Sequence, residues 1–131
     1  MCCYFFAYYL TQLQNDKRKK LDISESVLKN IYSSLSDVRF YQISDSKDIE
    51  YIRITQRTVK NEFGLLEELF SNLKKNSRDL EKCKSDFLNY WDFISNNIND
   101  IQALANSQKS LQNQIFLICD TLEKIRVELY I

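Results

Sequence analysis

Few side chains in this chain could do chemistry. The 131 residues include no histidine, so the group best suited to proton transfer near neutral pH is missing. Neither a Ser-His-Asp nor a Cys-His arrangement can form within the chain. The four cysteines, Cys2, Cys3, Cys83 and Cys119, show none of the paired spacings of zinc or redox sites. Cys83 and Cys119 read as buried or incidental thiols, and reduced, intracellular thiols are expected. Glu67 and Glu68 are adjacent acids on a strongly periodic stretch and read as solvated. With one glycine and no proline, no Gly-rich loop is available to cradle a phosphate. The expectation is a protein that is not an enzyme, with no catalytic residue, no metal ligand set and no cofactor.

What remains is adhesive chemistry. Residues 2–10 form an unbroken apolar and aromatic run, Cys-Cys-Tyr-Phe-Phe-Ala-Tyr-Tyr-Leu, and Lys17, Arg18, Lys19 and Lys20 follow it. As a helix the run spans about 14 Å against a hydrocarbon core of about 30 Å, so it cannot cross a bilayer. Two adjacent cysteines before a basic cluster make Cys2 and Cys3 candidate lipidation sites, and residues 1–20 a candidate membrane-surface anchor. The alternative reading is an apolar helix end that packs against a partner, with the basic cluster solvated. The charges follow the apolar run instead of preceding it, unlike a secretory signal. Nucleic acid is not an expected partner. Lys and Arg total 18 and so do Asp and Glu, and Lys74, Lys75, Arg78, Lys82 and Lys84 are interleaved with Asp79, Glu81 and Asp86. Mixed signs of this kind normally serve solubility and local ion pairs.

These residues need helices to position them. Asp22 followed by Glu25 reads as a helix N-cap with an acidic N3 residue, and Val27, Leu28, Ile31, Leu35 and Val38 recur behind it at steps of three and four. Residues 38–54 are rich in β-branched and aromatic types. They read as a loop followed by a helix capped by Asp48, with a short hairpin as the alternative. From Ile52 onward, alternating steps of four and three visit Ile52, Gln56, Val59, Phe63, Leu66, Phe70, Leu73, Ser77, Leu80, Lys84, Phe87, Trp91, Ile94, Ile98, Ile101 and Ala105. The register then slips by three and resumes through Leu104, Gln108, Leu111, Ile115, Ile118, Leu122, Ile125 and Leu129. A slip of three is either a stammer or a break between helices. Asn76-Ser77-Arg78-Asp79 and Ser95–Asp100 are further places where one helix could end and another begin, while Gly64 lies among strong helix formers and is read through.

The sequence therefore predicts an all-α chain in which long heptad-bearing helices form a coiled coil or an elongated helical bundle. It divides into an apolar and basic segment at 1–20, a short helix at 21–37, a connecting segment at 38–54 and long coiled-coil helices at 55–131. Continuation as one helix or folding into antiparallel helices are both open. The seam carries bulky aromatics, and few segments are available to cover so long a stripe, which favours partner helices. The expected interface residues are Phe63, Leu66, Phe70, Leu73, Phe87, Trp91, Ile94, Ile98, Ile101, Leu111, Ile115, Ile118, Leu122 and Ile125. The pattern is similar in general look to small coiled-coil subunits of multi-protein assemblies: lysosome-related-organelle complexes and membrane-trafficking tethers first, kinetochore or spindle complexes next. That resemblance implies a cytoplasmic scaffold subunit, hetero-oligomeric with other helical proteins or homo-oligomeric. The alternative function is a peripheral membrane adaptor held by an acylated N-terminal segment.

Overall fold

A computed structural model describes the backbone of residues 2–131, with side chains from residue 5 onward except that of residue 6. About 85% of the chain is helical, in five helices, with no strand among the described residues. The first helix, α1, runs unbroken from Cys2 to Arg39. The expected helix start at Asp22 is thereby corrected. Nothing between Lys17 and Leu21 breaks a helix, and without Gly or Pro the good helix formers there carry the backbone through. Ser24 donates its hydroxyl to the Lys20 carbonyl at 2.7 Å inside the same helix. Asp22 and Glu25 instead accept from the Tyr130 hydroxyl, at 2.9 and 2.6 Å. Residue 20 marks a change in burial: the described side chains before it are exposed, and the core begins at Leu21, Ser24, Val27 and Leu28.

The segment after Arg39 is a loop, and the hairpin alternative fails. Val38 finishes α1 with its side chain buried, Ile43 plugs the core from the loop, and no third strand is present to support a two-stranded pair. The second helix, α2, spans Ser46–Asn72. Its cap is Asp45, one turn earlier than the expected Asp48. Asp45 accepts from the backbone N–H of Lys47 and Asp48 at 2.9 and 3.1 Å. Asp48 sits at the third helical position and closes a capping box, accepting from the Asp45 N–H at 3.0 Å and from the Ser44 N–H and hydroxyl, both at 2.8 Å. Gly64 lies within α2 as expected, and a Cβ there would meet nothing within 4 Å.

Heptads at 55–131 do not run on as one helix. α2 closes with Leu73 and Lys74, the latter in the left-handed region at φ 55°. The Lys75 N–H reaches back to the Phe70 carbonyl at 2.9 Å, the six-to-one bond of a Schellman ending. Ser77 then caps α3 (Arg78–Asn96) by accepting from the Leu80 N–H at 3.1 Å. Asp100 caps the short α4 (Ile101–Asn106) by accepting from the Ala103 N–H at 3.0 Å. A break at Ser107 precedes α5 (Gln108–Glu128), so the register slip near residue 104 is a helix boundary and not a stammer.

The four long helices form an up-down-up-down bundle: α1 lies against α2 and α5, and α3 lies against α5 and, through longer side chains, α2. Each neighbouring pair is antiparallel. Tyr130 meets Asp22 at one end of the α1–α5 pair, and at the other Gln108 donates to the Tyr41 carbonyl, just beyond α1, at 3.2 Å. Across α2 and α3, Arg53 hydrogen-bonds Ser95 while Glu67 pairs with Lys84. Leu28, Ile31 and Leu35 from α1 meet Val59, Phe63 and Leu66 from α2, Phe87, Tyr90 and Ile94 from α3, Leu104 from α4, and Ile115, Ile118 and Leu122 from α5 in one continuous core. Burying each such side chain stabilises the fold by roughly 1.5–3 kcal/mol.

Candidate interaction surface

The expected seam lies in the chain's own core. Phe63, Leu66, Phe70, Phe87, Ile94, Leu111, Ile115, Ile118, Leu122 and Ile125 are buried, and Leu73, Trp91 and Ile101 are half-buried. Of the fourteen residues expected at a partner interface, Ile98 alone is exposed, at 37%. The reason is geometric. Two chain reversals, after α2 and after α3, fold the heptads back on one another, and the second half of α1 supplies a fourth apolar face. The bulky aromatic residues of the seam fit a four-helix interior: the Phe63 and Phe87 rings lie 5.3 Å apart, and Phe87 meets Trp91 edge-on at 6.2 Å. Trp91 is roofed by the Arg53 guanidinium at 5.0 Å and the Lys60 ammonium at 5.2 Å.

The thiols in the bundle are not set up to react. Burial pushes the Cys83 thiol well above the ordinary thiol range and raises that of Cys119. Cys83 donates weakly to the Ile118 carbonyl at 3.7 Å, in keeping with a packing role. Among the described residues no group of three or more His, Cys, Asp or Glu side chains is placed to hold a metal ion. An open groove of about 680 Å³ runs between α2 and α3, with the Glu67–Lys84 ion pair beside Leu80 and Leu88. Its lining is mostly polar and charged, with Phe70, Leu80 and Leu88 the apolar part.

A cluster of unpartnered apolar side chains lies on the leading half of α1. Phe5, Tyr8, Tyr9, Leu10 and Leu13 are all exposed, Phe5 to 77%, and every described side chain through Lys19 faces solvent. At 1.5 Å per residue this arm projects roughly 27 Å beyond the bundle. It leaves from the end where Tyr130 reaches Asp22 and Glu25 and where the α2–α3 turn carries Lys74 and Lys75. The side chains of Cys2 and Cys3, the candidate lipidation sites, lie outside the described residues. No described helix is long and apolar enough to cross a membrane.

A smaller surface feature escaped the sequence reading. At the opposite end of α1 the Arg39 guanidinium lies between the Phe40 and Phe116 rings, 4.9 and 4.8 Å from their centres, and both rings are exposed. Phe116 and Leu117 stand off the heptad seam, which is the one sequence signal that they face outward.

The fold places the protein among all-α helical bundles. Comparison with protein-family models, curated proteins and solved structures yields no match.

Proposed function

We propose that this protein is a non-enzymatic adaptor, a subunit of a larger assembly that attaches through the leading half of α1 while the bundle acts as a folded spacer. The observation that carries this reading is the contrast within a single helix: from Leu21 onward α1 contributes to the core, and before it five large apolar side chains stand in water. An exposed aromatic cluster of this kind normally marks an interaction site. The absence of histidine from the sequence and the buried, unreactive state of Cys83 and Cys119 support a binding role over a catalytic one. Membrane-traffic tethers and related scaffolds are the assemblies that such a module suits.

The test compares the full chain in cells with a variant carrying Tyr8→Ser, Tyr9→Ser and Leu13→Ser. The parent should fractionate as a species much larger than 15.7 kDa. The variant should run at monomer size with an unchanged melting temperature. Identical fractionation of the two would sink the adaptor reading.

A further inference from the structure

We infer that the α1 arm is a membrane anchor that enters an anionic lipid surface steeply, leading turns first, a proposal that rests on the arm being the contact element. Its geometry decides between occupants. With 3.6 residues per turn, Phe5, Tyr9 and Leu13 form one row at steps of four, Tyr8 flanks it on one side and Leu10 on the other, and together they cover an arc of about 200°. A single partner helix, or the arm of a second copy, covers a much narrower stripe and would leave aromatic side chains wet. A bilayer interface takes up a broad arc, because the leading turns sink to the acyl boundary while tyrosine hydroxyls stay at headgroup level.

Charge points the same way. The basic cluster begins about 12 Å along the axis from Tyr9. On the helix wheel Lys17, Lys19 and Lys20 fall on the side of the Phe5–Tyr9–Leu13 row, with Asp16 among them, and Arg18 falls opposite. Residues 1–20 carry a net charge of +3 and the remaining chain −3. An anionic surface therefore attracts the arm and repels most of the bundle, which fixes the orientation. The bundle end nearest the arm is the exception, since Lys74 and Lys75 on the α2–α3 turn would face the same lipid. That end also carries Arg78 and the acids Asp22, Glu25, Asp79 and Glu128.

The experiment uses the full, unacylated chain and two vesicle preparations, phosphatidylcholine alone and phosphatidylcholine mixed with phosphatidylserine, read by flotation. Binding to the anionic vesicles should exceed binding to the neutral ones by at least about tenfold and weaken as salt is raised. Lys17→Gln with Lys19→Gln and Lys20→Gln should lower it by about tenfold or more. Phe5→Ser with Tyr9→Ser should reduce it to background, with the melting temperature unmoved in both variants. Equal binding to both vesicles, or none, overturns the proposal. So does a lipid-free dimer that Phe5→Ser with Tyr9→Ser dissociates, which assigns the arm to a second copy. If vesicles are ignored while the arm substitutions still dismantle the cellular assembly, the lipid proposal fails and the adaptor reading stands. If neither responds, both fail.

Discussion

Gln56 is the residue that fits its surroundings least well. It occupies a seam position in α2, is 1% exposed, and neither its amide oxygen nor its amide nitrogen has a hydrogen-bond partner. A buried polar group left unpaired costs about 1–3 kcal/mol, so Gln56→Met, close in volume and without the amide, should raise stability by a similar amount in urea titration. Trp91 argues in the opposite direction. It is half-buried against Phe87 beneath two cations, so Trp91→Ala should lower the unfolding free energy of the isolated chain by about 3 kcal/mol, the low end for a core aromatic. Its effect on assembly should be no greater than that loss of fold explains. A variant that kept its stability but lost its partners would return the seam to the interface role that we propose for the arm.

At the scale of elements, the helix ends show how a chain so poor in glycine and proline makes its turns. Lys74 takes the left-handed position that glycine normally fills. An L-residue there costs roughly 1–2 kcal/mol, so Lys74→Gly should stabilise the bundle by about 1 kcal/mol, measured by thermal melting. The start of α2 is held by a charge. Hydrogen bonds from the Ser44 N–H, the Ser44 hydroxyl and the Asp45 N–H lower the Asp48 carboxyl from its ordinary 3.8 to about 2. A carboxylate lowered in the folded state adds stability above its unfolded value, and that contribution is lost as pH falls through the folded one. Asp48→Asn should therefore melt below the parent at neutral pH, and the gap should close between about pH 4 and pH 2.

For the molecule as a whole, the α1 arm and the bundle should behave as separable units. An apolar seam of this length, left uncovered, would make the chain alone self-associate. In the structure that seam is covered, so the exposed aromatic arm is the expected main source of self-association. Removing residues 2–19 should leave the melting temperature nearly unchanged, since none of the described side chains in that stretch contributes to the core, and light scattering should then report a monomer. A large drop in melting temperature would show that the arm folds back onto the bundle.

Helix type, helix periodicity and most of the core were legible in the residues, because apolar spacing at three and four records which face of a helix avoids water wherever that helix ends up. Val27, Leu28, Ile31 and Leu35 were placed on one face correctly, and so were Phe63, Leu66, Phe87 and Ile94. The breaks were only half legible: Ser77 and the polar run before Asp100 signalled them, but Lys74 turned the chain without the glycine that usually announces a turn. The capping pair Asp22 and Glu25 misled, because the same acids suit a tyrosine hydroxyl brought from 108 and 105 residues away. What covers a seam is not written in its period. A heptad stripe looks the same whether the opposing helix belongs to another chain or to residues returning after a turn, since both bury the same side chains by the same packing. Composition and periodicity by themselves determined that this chain is helical and has an apolar face to bury. Only the tertiary structure decided that the face is buried internally and that the described side chains of the leading half of α1 stay exposed, because no returning segment packs against them.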